Sequence, residues 1–255
     1  MERGSLSFPA AVILGLLVGA GAALAGYFAG QGLFQGRRAE RYVSVKGLAE
    51  RDVKADLAVW MLSFSTTGSD ISAVSTASEH DSELVRAFII KSGFIDREVE
   101  PLPTRVNDQF AFSTLMGPPN VEANRRYVVT AGFEIRTTKV DEVRAASQLT
   151  GELIRQGVVL DGRGSGIGGV NPAYLFTRVS EMRPAMLAQA TRSARMLAQQ
   201  FAADSKSHLG PIRRANEGVF EVLSRDGETA NPMEERASIE KKLRLVSTVE
   251  YYVAE

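Results

Sequence analysis

The sequence predicts an α+β fold: a mainly antiparallel sheet packed with three helices and preceded by one N-terminal transmembrane helix. Three observations predict it. Residues Phe8 to Gly30 carry no charge. Beyond Arg37, strand–helix–strand order occurs over roughly 53–102 and again over roughly 126–179, without the strict alternation of a parallel α/β sheet. The chain then closes on Leu243 to Val253, where Leu243, Leu245, Ser247, Val249 and Tyr251 alternate with the residues between them, the pattern of a strand.

The N-terminal stretch reads FPAAVILGLLVGAGAALAGYFAG. As a helix it reaches about 34 Å, enough for the ~30 Å hydrocarbon core of a bilayer. Two readings of it stand. As a single-pass anchor it holds the chain in the membrane through residues 8–30. As a signal sequence it ends at the small-residue triplet Ala23-Leu24-Ala25, and cleavage after Ala25 releases a soluble product. The apolar run continues through Tyr27, Phe28 and Ala29, past the ~7–15 residues usual in a signal peptide, which favours the anchor. Gly15, Gly19, Gly26 and Gly30 form GxxxG pairs at 15/19 and 26/30. Such a stripe lets two helix backbones approach, so these glycines are the candidate helix–helix contact of a homo-oligomer. Small residues are also common near signal sequences, which explains the stripe equally well. By charge alone, Arg37, Arg38 and Arg41 on the C-terminal side would hold the soluble part in the cytoplasm.

Of the 255 residues, those beyond the apolar segment suffice for a domain with a real core. Thirty basic residues balance thirty acidic ones, so nothing global steers the chain toward nucleic acid. There is no cysteine, which excludes disulfides, thiolate catalysis and cysteine zinc sites. The organisation predicted is a tail at 1–7, the anchor at 8–30, a glycine-rich linker at 31–40 and one α+β domain at 41–255.

Within that domain, Tyr42, Val43 and Val45 lead a short strand ending at Gly47. Val53 to Thr67 is apolar on both faces of its pleat, which predicts a central strand buried on both faces, with Trp60 in the core. Ser69 or Asp70 caps a helix to about Ser92, with Ile71, Val74, Ala77, Leu84, Val85, Phe88 and Ile89 at helical spacing and Gly93 as the stop. Arg97 to Leu102 reads as a strand, 104–125 as a hairpin arm or long loop, and Arg126 to Thr137 as a strand. A second helix is expected over Lys139 to Gln156, then an extended Val158 to Leu160 and a strand over 173–179. The longest helix is expected over Glu181 to Ser207, with Pro184 in its first turn and Ala190, Ala194, Ala198 and Ala202 as a close-packing stripe. His208 is expected near the C-terminus of that helix. Ile212 to Leu223 follows as a strand interrupted at Glu217-Gly218, and 224–242 as a polar, mobile excursion.

The chemistry-bearing residues are sparse. His80 and His208 lack metal-ligand spacing, and His80 sits among Glu79, Asp81 and Ser82 on a solvated helix face. The glycine-rich Asp161 to Gly169 has neither the lysine nor the hydroxyl of a phosphate loop and opens no helix, so it reads as a linker. Asp52 and Asp56 flank Lys54 as solvated charges. No GxSxG, HExxH or acidic cluster occurs, and no catalytic, cofactor-binding or metal-binding residue is assigned.

Four segments together resemble the SIMPL-domain family: Tyr42 to Gly47 with Asp56 to Trp60; Arg126 to Thr130; the helix Ala185 to Ala203 with His208 to Pro211; and Val246 to Val253. The resemblance spans nearly all of residues 41–254 and rests on strand and helix patterns rather than a catalytic signature. It implies an α+β fold in bacterial periplasmic or envelope proteins, ring-like homo-oligomers in some members, a link to oxidative-stress tolerance, and, in an animal member, association with a signalling kinase. It carries no catalytic residue across. The long apolar N-terminus and the charged 224–242 depart from the pattern. The resemblance implies export, placing a membrane-held domain in the periplasm against the charge count. The expectation is therefore a non-enzymatic, self-associating envelope protein, with a binding module for a small ligand or partner at 104–125 or 161–169 as the alternative.

Overall fold

The structure, a computed structural model, describes residues 17–27, 41–113, 125–161, 171–227 and 231–254. In chain order, residues 17–27 form helix α1. They are followed by β1 (Tyr42–Lys54), β2 (Leu57–Gly68), α2 (Ile71–Lys91), a short 3-10 turn (Asp96–Glu98), β3 (Val99–Pro101), β4 (Arg105–Asp108) and α3 (Gln109–Ser113). Then come β5 (Tyr127–Thr137), α4 (Val140–Gln148), α5 (Gly151–Arg155), β6 (Ala173–Leu175), α6 (Val179–Asp204), β7 (His208–Ser224), α7 (Pro232–Ala237) and β8 (Glu240–Ala254). The fold is α+β with antiparallel sheets. Two compact units divide the chain: Met1–Leu48, Gln189–Gly218 and Val246–Glu255 form one, Ala49–Ala188 and Val219–Leu245 the other.

The second unit holds a five-stranded sheet ordered β3-β5-β2-β6, with β4 also on β5. Strand β2 pairs antiparallel with β5 from Ala58 opposite Thr137 to Gly68 opposite Tyr127, and its other edge takes β6. It is central, as its apolar run predicts. Only one of its faces is fully buried: Ala58, Trp60, Leu62 and Phe64 are inaccessible, whereas Leu57, Val59 and Met61 are half-buried. Against the buried face, α2 sets Val85, Phe88 and Ile89, beside Phe133 and Ile135 of β5. Each such side chain withdrawn from water contributes about 1.5–3 kcal/mol. The Asp70 side chain caps α2 by accepting the Ala73 N–H at 2.9 Å, and Gly93, at φ +93°, ends it in a conformation other residues resist.

The first unit takes the other parts of β1, α6, β7 and β8. Strands β1, β8 and β7 form a three-stranded sheet in that order. Tyr252 neighbours Gly210, Glu250 pairs with Arg213 and Ser247 reaches Asn216, so residue numbers fall along β8 as they rise along β7: the pair is antiparallel. Its core is Val45, Ala194, Ala198, Val249 and Tyr251. The alanine stripe does what its period predicts, since Ala190, Ala194, Ala198 and Ala202 are all buried.

Several expectations change. The three helices become more, because α3, α5 and α7 are short helices among the described residues. The helix expected over 139–156 is two, α4 and α5. Thr150 donates its hydroxyl to the Ser147 carbonyl at 3.0 Å, the acceptor a continuous helix would offer to Gly151. Strand β1 runs on to Lys54 rather than ending at Gly47; Ala49 keeps the inward alternation and Glu50 pairs with Arg244 at 3.7 Å. The strand expected over 173–179 stops at Leu175, and α6 starts at Val179, which leaves Pro184 inside the helix. His208 opens β7 instead of ending α6, after a turn in which Lys206 takes φ +55°. Strand β7 passes through Glu217-Gly218 without a break. The 224–242 excursion contains α7, capped by the Asn231 side chain on the Met233 N–H at 3.1 Å, and the start of β8.

Candidate interaction surfaces

The predicted contact glycines fall partly in view. Gly19 and Gly26 lie on α1, and a Cβ added at either meets nothing within 4 Å. Leu17, Val18 and Leu24 of the same helix are exposed. Gly15 and Gly30, with the rest of the apolar segment 8–30 beyond α1, lie outside the described residues. Among the described residues no helix is long and apolar enough to cross a membrane.

In the first unit, β7 is the surface that stands out. Residues 211–218 are exposed without interruption, although a strand on a covered sheet alternates. Arg213 lies across the sheet face, with its Nη1 3.3 Å from Glu250 and its guanidinium 4.1 Å from the centre of the Tyr42 ring. Desolvation pulls its pKa down, but Tyr42 and Glu250 outweigh that and raise it. On α6, Leu197 and Phe201 flank the buried alanines and are themselves exposed.

In the second unit, an open cleft of about 690 Å³ is lined by Lys54, Asp56, Lys139, Asp141, Glu142 and Arg178, among others. Five of these six charges have an ion-pair partner. Lys54 meets Asp141 at 2.5 Å, Arg178 meets Asp56 at 3.1 Å, and Lys139 meets Glu98 at 3.2 Å. Asp141 and Glu142 occupy the first turn of α4, where the helix dipole favours acids. Partial burial pushes the Asp56 carboxyl up, but hydrogen bonds from Thr177 and Arg178 prevail and leave it below the ordinary value. Glu98 follows the same logic: burial raises it, and the Thr137 hydroxyl, the Ile95 N–H and Lys139 bring it below. Such a cleft offers both signs of charge in fixed places, which suits a small zwitterion. In the sequence Asp56 reads as a solvated charge. Its partners lie 121 and 122 positions away, a separation that local sequence does not disclose.

The alternative binding segments are described only in part. Strand β4 and helix α3 occupy 105–113, while 114–124 and 162–170 lie outside the described residues. Where β4 pairs with β5, Arg126 Nη2 meets Asp108 at 3.0 Å and the Arg126 guanidinium lies 4.8 Å from the Tyr127 ring centre. His80 is exposed on α2, and Trp60 is core. Among the described residues no group of three or more His, Asp or Glu side chains could hold a metal ion.

Lys241 is wholly buried at the start of β8, its Nζ donating to Glu235 Oε1 at 2.9 Å and to the Glu235 carbonyl of α7. Desolvation lowers its pKa, with Glu235 opposing. A lysine in a polar run gives no sign of burial beforehand.

An α+β domain with antiparallel sheets is the class that the fold defines. Residues 43–250 match the model of the SIMPL family, described as "Protein of unknown function (DUF541)", and the chain belongs to that family. No curated protein matches the chain.

Proposed function

We propose that this chain is a non-enzymatic SIMPL-type envelope protein. It is anchored in the inner membrane by a single pass through residues 8–30, with its soluble domain in the periplasm, and it self-associates in a role linked to stress tolerance. The observation that carries the reading is the open glycine face of α1, where Gly19 and Gly26 have nothing against them, inside a stretch of twenty-three uncharged residues. An exposed face of small residues on an apolar helix suits a second helix. Support also comes from family membership over residues 43–250. The test is a topology reporter fused after Glu255, with N-terminal sequencing of the mature protein and the mass of the full chain in detergent. An uncleaved N-terminus, a periplasmic reporter and a mass of two or more chains agree with the proposal. A mature chain starting at Gly26 replaces the anchor with a soluble periplasmic protein, and a single-chain mass removes self-association.

The charged cleft of about 690 Å³ favours a second reading, a periplasmic module for a small ligand or partner protein. A panel of small zwitterions and dicarboxylates tested by thermal shift decides it: no shift with any of them discards the cleft as a ligand site.

A further inference from the structure

We infer that the outer edge of β7 is a self-association edge, on which a second copy of this chain adds its own β7 antiparallel about a two-fold axis at Ala215. The inference rests on the self-associating reading above and names where the copies meet. Strand β7 is the margin of its three-stranded sheet, with β8 as its neighbour on the inner side. The Asn216 carbonyl is turned toward β8, where it accepts the Ser247 hydroxyl at 3.3 Å. In an antiparallel strand successive residues direct their N–H and C=O to opposite sides. Arg213, Ala215 and Glu217 therefore turn theirs outward. A row of outward backbone groups is a template for another strand.

Two further features select a copy of the same strand. First, residues 211–218 are exposed on both faces of the sheet, so among the described residues an incoming strand meets no covering element there. Second, the strand is self-complementary in charge, with Arg213 and Arg214 on one side of Ala215 and Glu217 on the other. An antiparallel copy centred on Ala215 sets Arg213 opposite Glu217 twice, on a shared face. A parallel copy sets like charge beside like, which is unfavourable. The two-fold closes the contact on itself, so this edge yields a pair and no filament. Pro211, which has no N–H to give, bounds the open run at one end. The other margin, β1, alternates buried and exposed positions, so one of its faces is covered and it lacks the first feature.

The absence of cysteine makes a direct test available. In the full chain, Ala215→Cys places two thiols at the two-fold, about 5.5 Å apart between α-carbons, within disulfide reach. Lys46→Cys on β1 is the control. Mild oxidation is expected to convert most of the Ala215→Cys protein to a reducible dimer and to leave Lys46→Cys as single chains. Ala215→Pro, which removes an N–H turned away from β8, is expected to lower the assembled mass at least twofold with an unchanged circular dichroism spectrum. If the native chain is assembled but Ala215→Cys cross-links no faster than Lys46→Cys, the edge is wrong and self-association stands. If the native chain has the mass of one copy, both are wrong.

Discussion

The α-carbon of Gly47 lies against the backbone of Ala194: a Cβ built on Gly47 stands 2.7 Å from the Ala194 nitrogen and overlaps the Ala190 carbonyl oxygen. Backbone atoms on a helix cannot step aside as a flexible side chain can. Gly47→Ala is expected to cost about 1–3 kcal/mol and Gly47→Val more, with no change in denaturant slope. Urea unfolding measures it, and a wild-type midpoint for Gly47→Ala would show that α6 does not press on β1 there.

Lys241 and Glu235 form a pair whose lysine is wholly buried. Removing the acid strands the cation, so Glu235→Ala is expected to destabilise by about 3 kcal/mol. Replacing both, as Lys241→Met with Glu235→Gln, is expected to restore wild-type stability or better, because burying a charge costs more than burying a thioether. The lysine's folded pKa is depressed, first by desolvation, so the unfolded chain binds its proton more strongly. Stability therefore rises as pH climbs from the folded pKa toward the unfolded value near 10.4, and Lys241→Met is expected to flatten that limb.

Asp56 and Glu98 contribute to the acid limb. In both, burial pushes the carboxyl up and hydrogen bonds more than offset it, leaving folded pKa values below the unfolded ones. Their contribution is complete above the unfolded values, about pH 4, and is lost as pH falls through the folded ones. Glu98→Gln is expected to remove part of that decline in thermal midpoints measured from pH 6 to 2. An acid limb identical to wild type would show that Glu98 is not held by Thr137 and Lys139.

On α1, Gly19→Ile with Gly26→Ile fills the open stripe. The pair of substitutions is expected to weaken association of the full chain in detergent at least tenfold while leaving the soluble domain's circular dichroism unchanged. Unaltered association would assign the stripe to the small-residue bias of export segments.

Much of the architecture is legible in the sequence because it is written in local period. The four-residue spacing of Ala190 to Ala202, the apolar run of β2 around Trp60 and the Asp70 cap all declare themselves within a few positions. What is missed depends on partners far along the chain. Strand β1 continues through Glu50, Arg51 and Asp52 because β8 lies beside it, a neighbour that local polarity does not reveal. His208 follows a helix in sequence but a turn at Lys206 in space. The interaction surfaces are harder still: nothing in the local sequence of residues 211–218 discloses that both faces of β7 are exposed, and Lys241 becomes a core residue because α7 supplies Glu235.

Strand β8 contributes Glu240–Leu245 to one unit and Val246–Ala254 to the other. In the first span Leu243 and Leu245 are fully buried; in the second, Val249 and Tyr251 share their core with alanines, which bring little apolar area. Amide hydrogens report the local free energy of opening, and that energy follows buried apolar contact. A single unbroken strand is therefore expected to carry two exchange rates, slow at Leu243 to Leu245 and faster at Val249 to Tyr251. Native-state exchange would read the boundary between the units along one backbone.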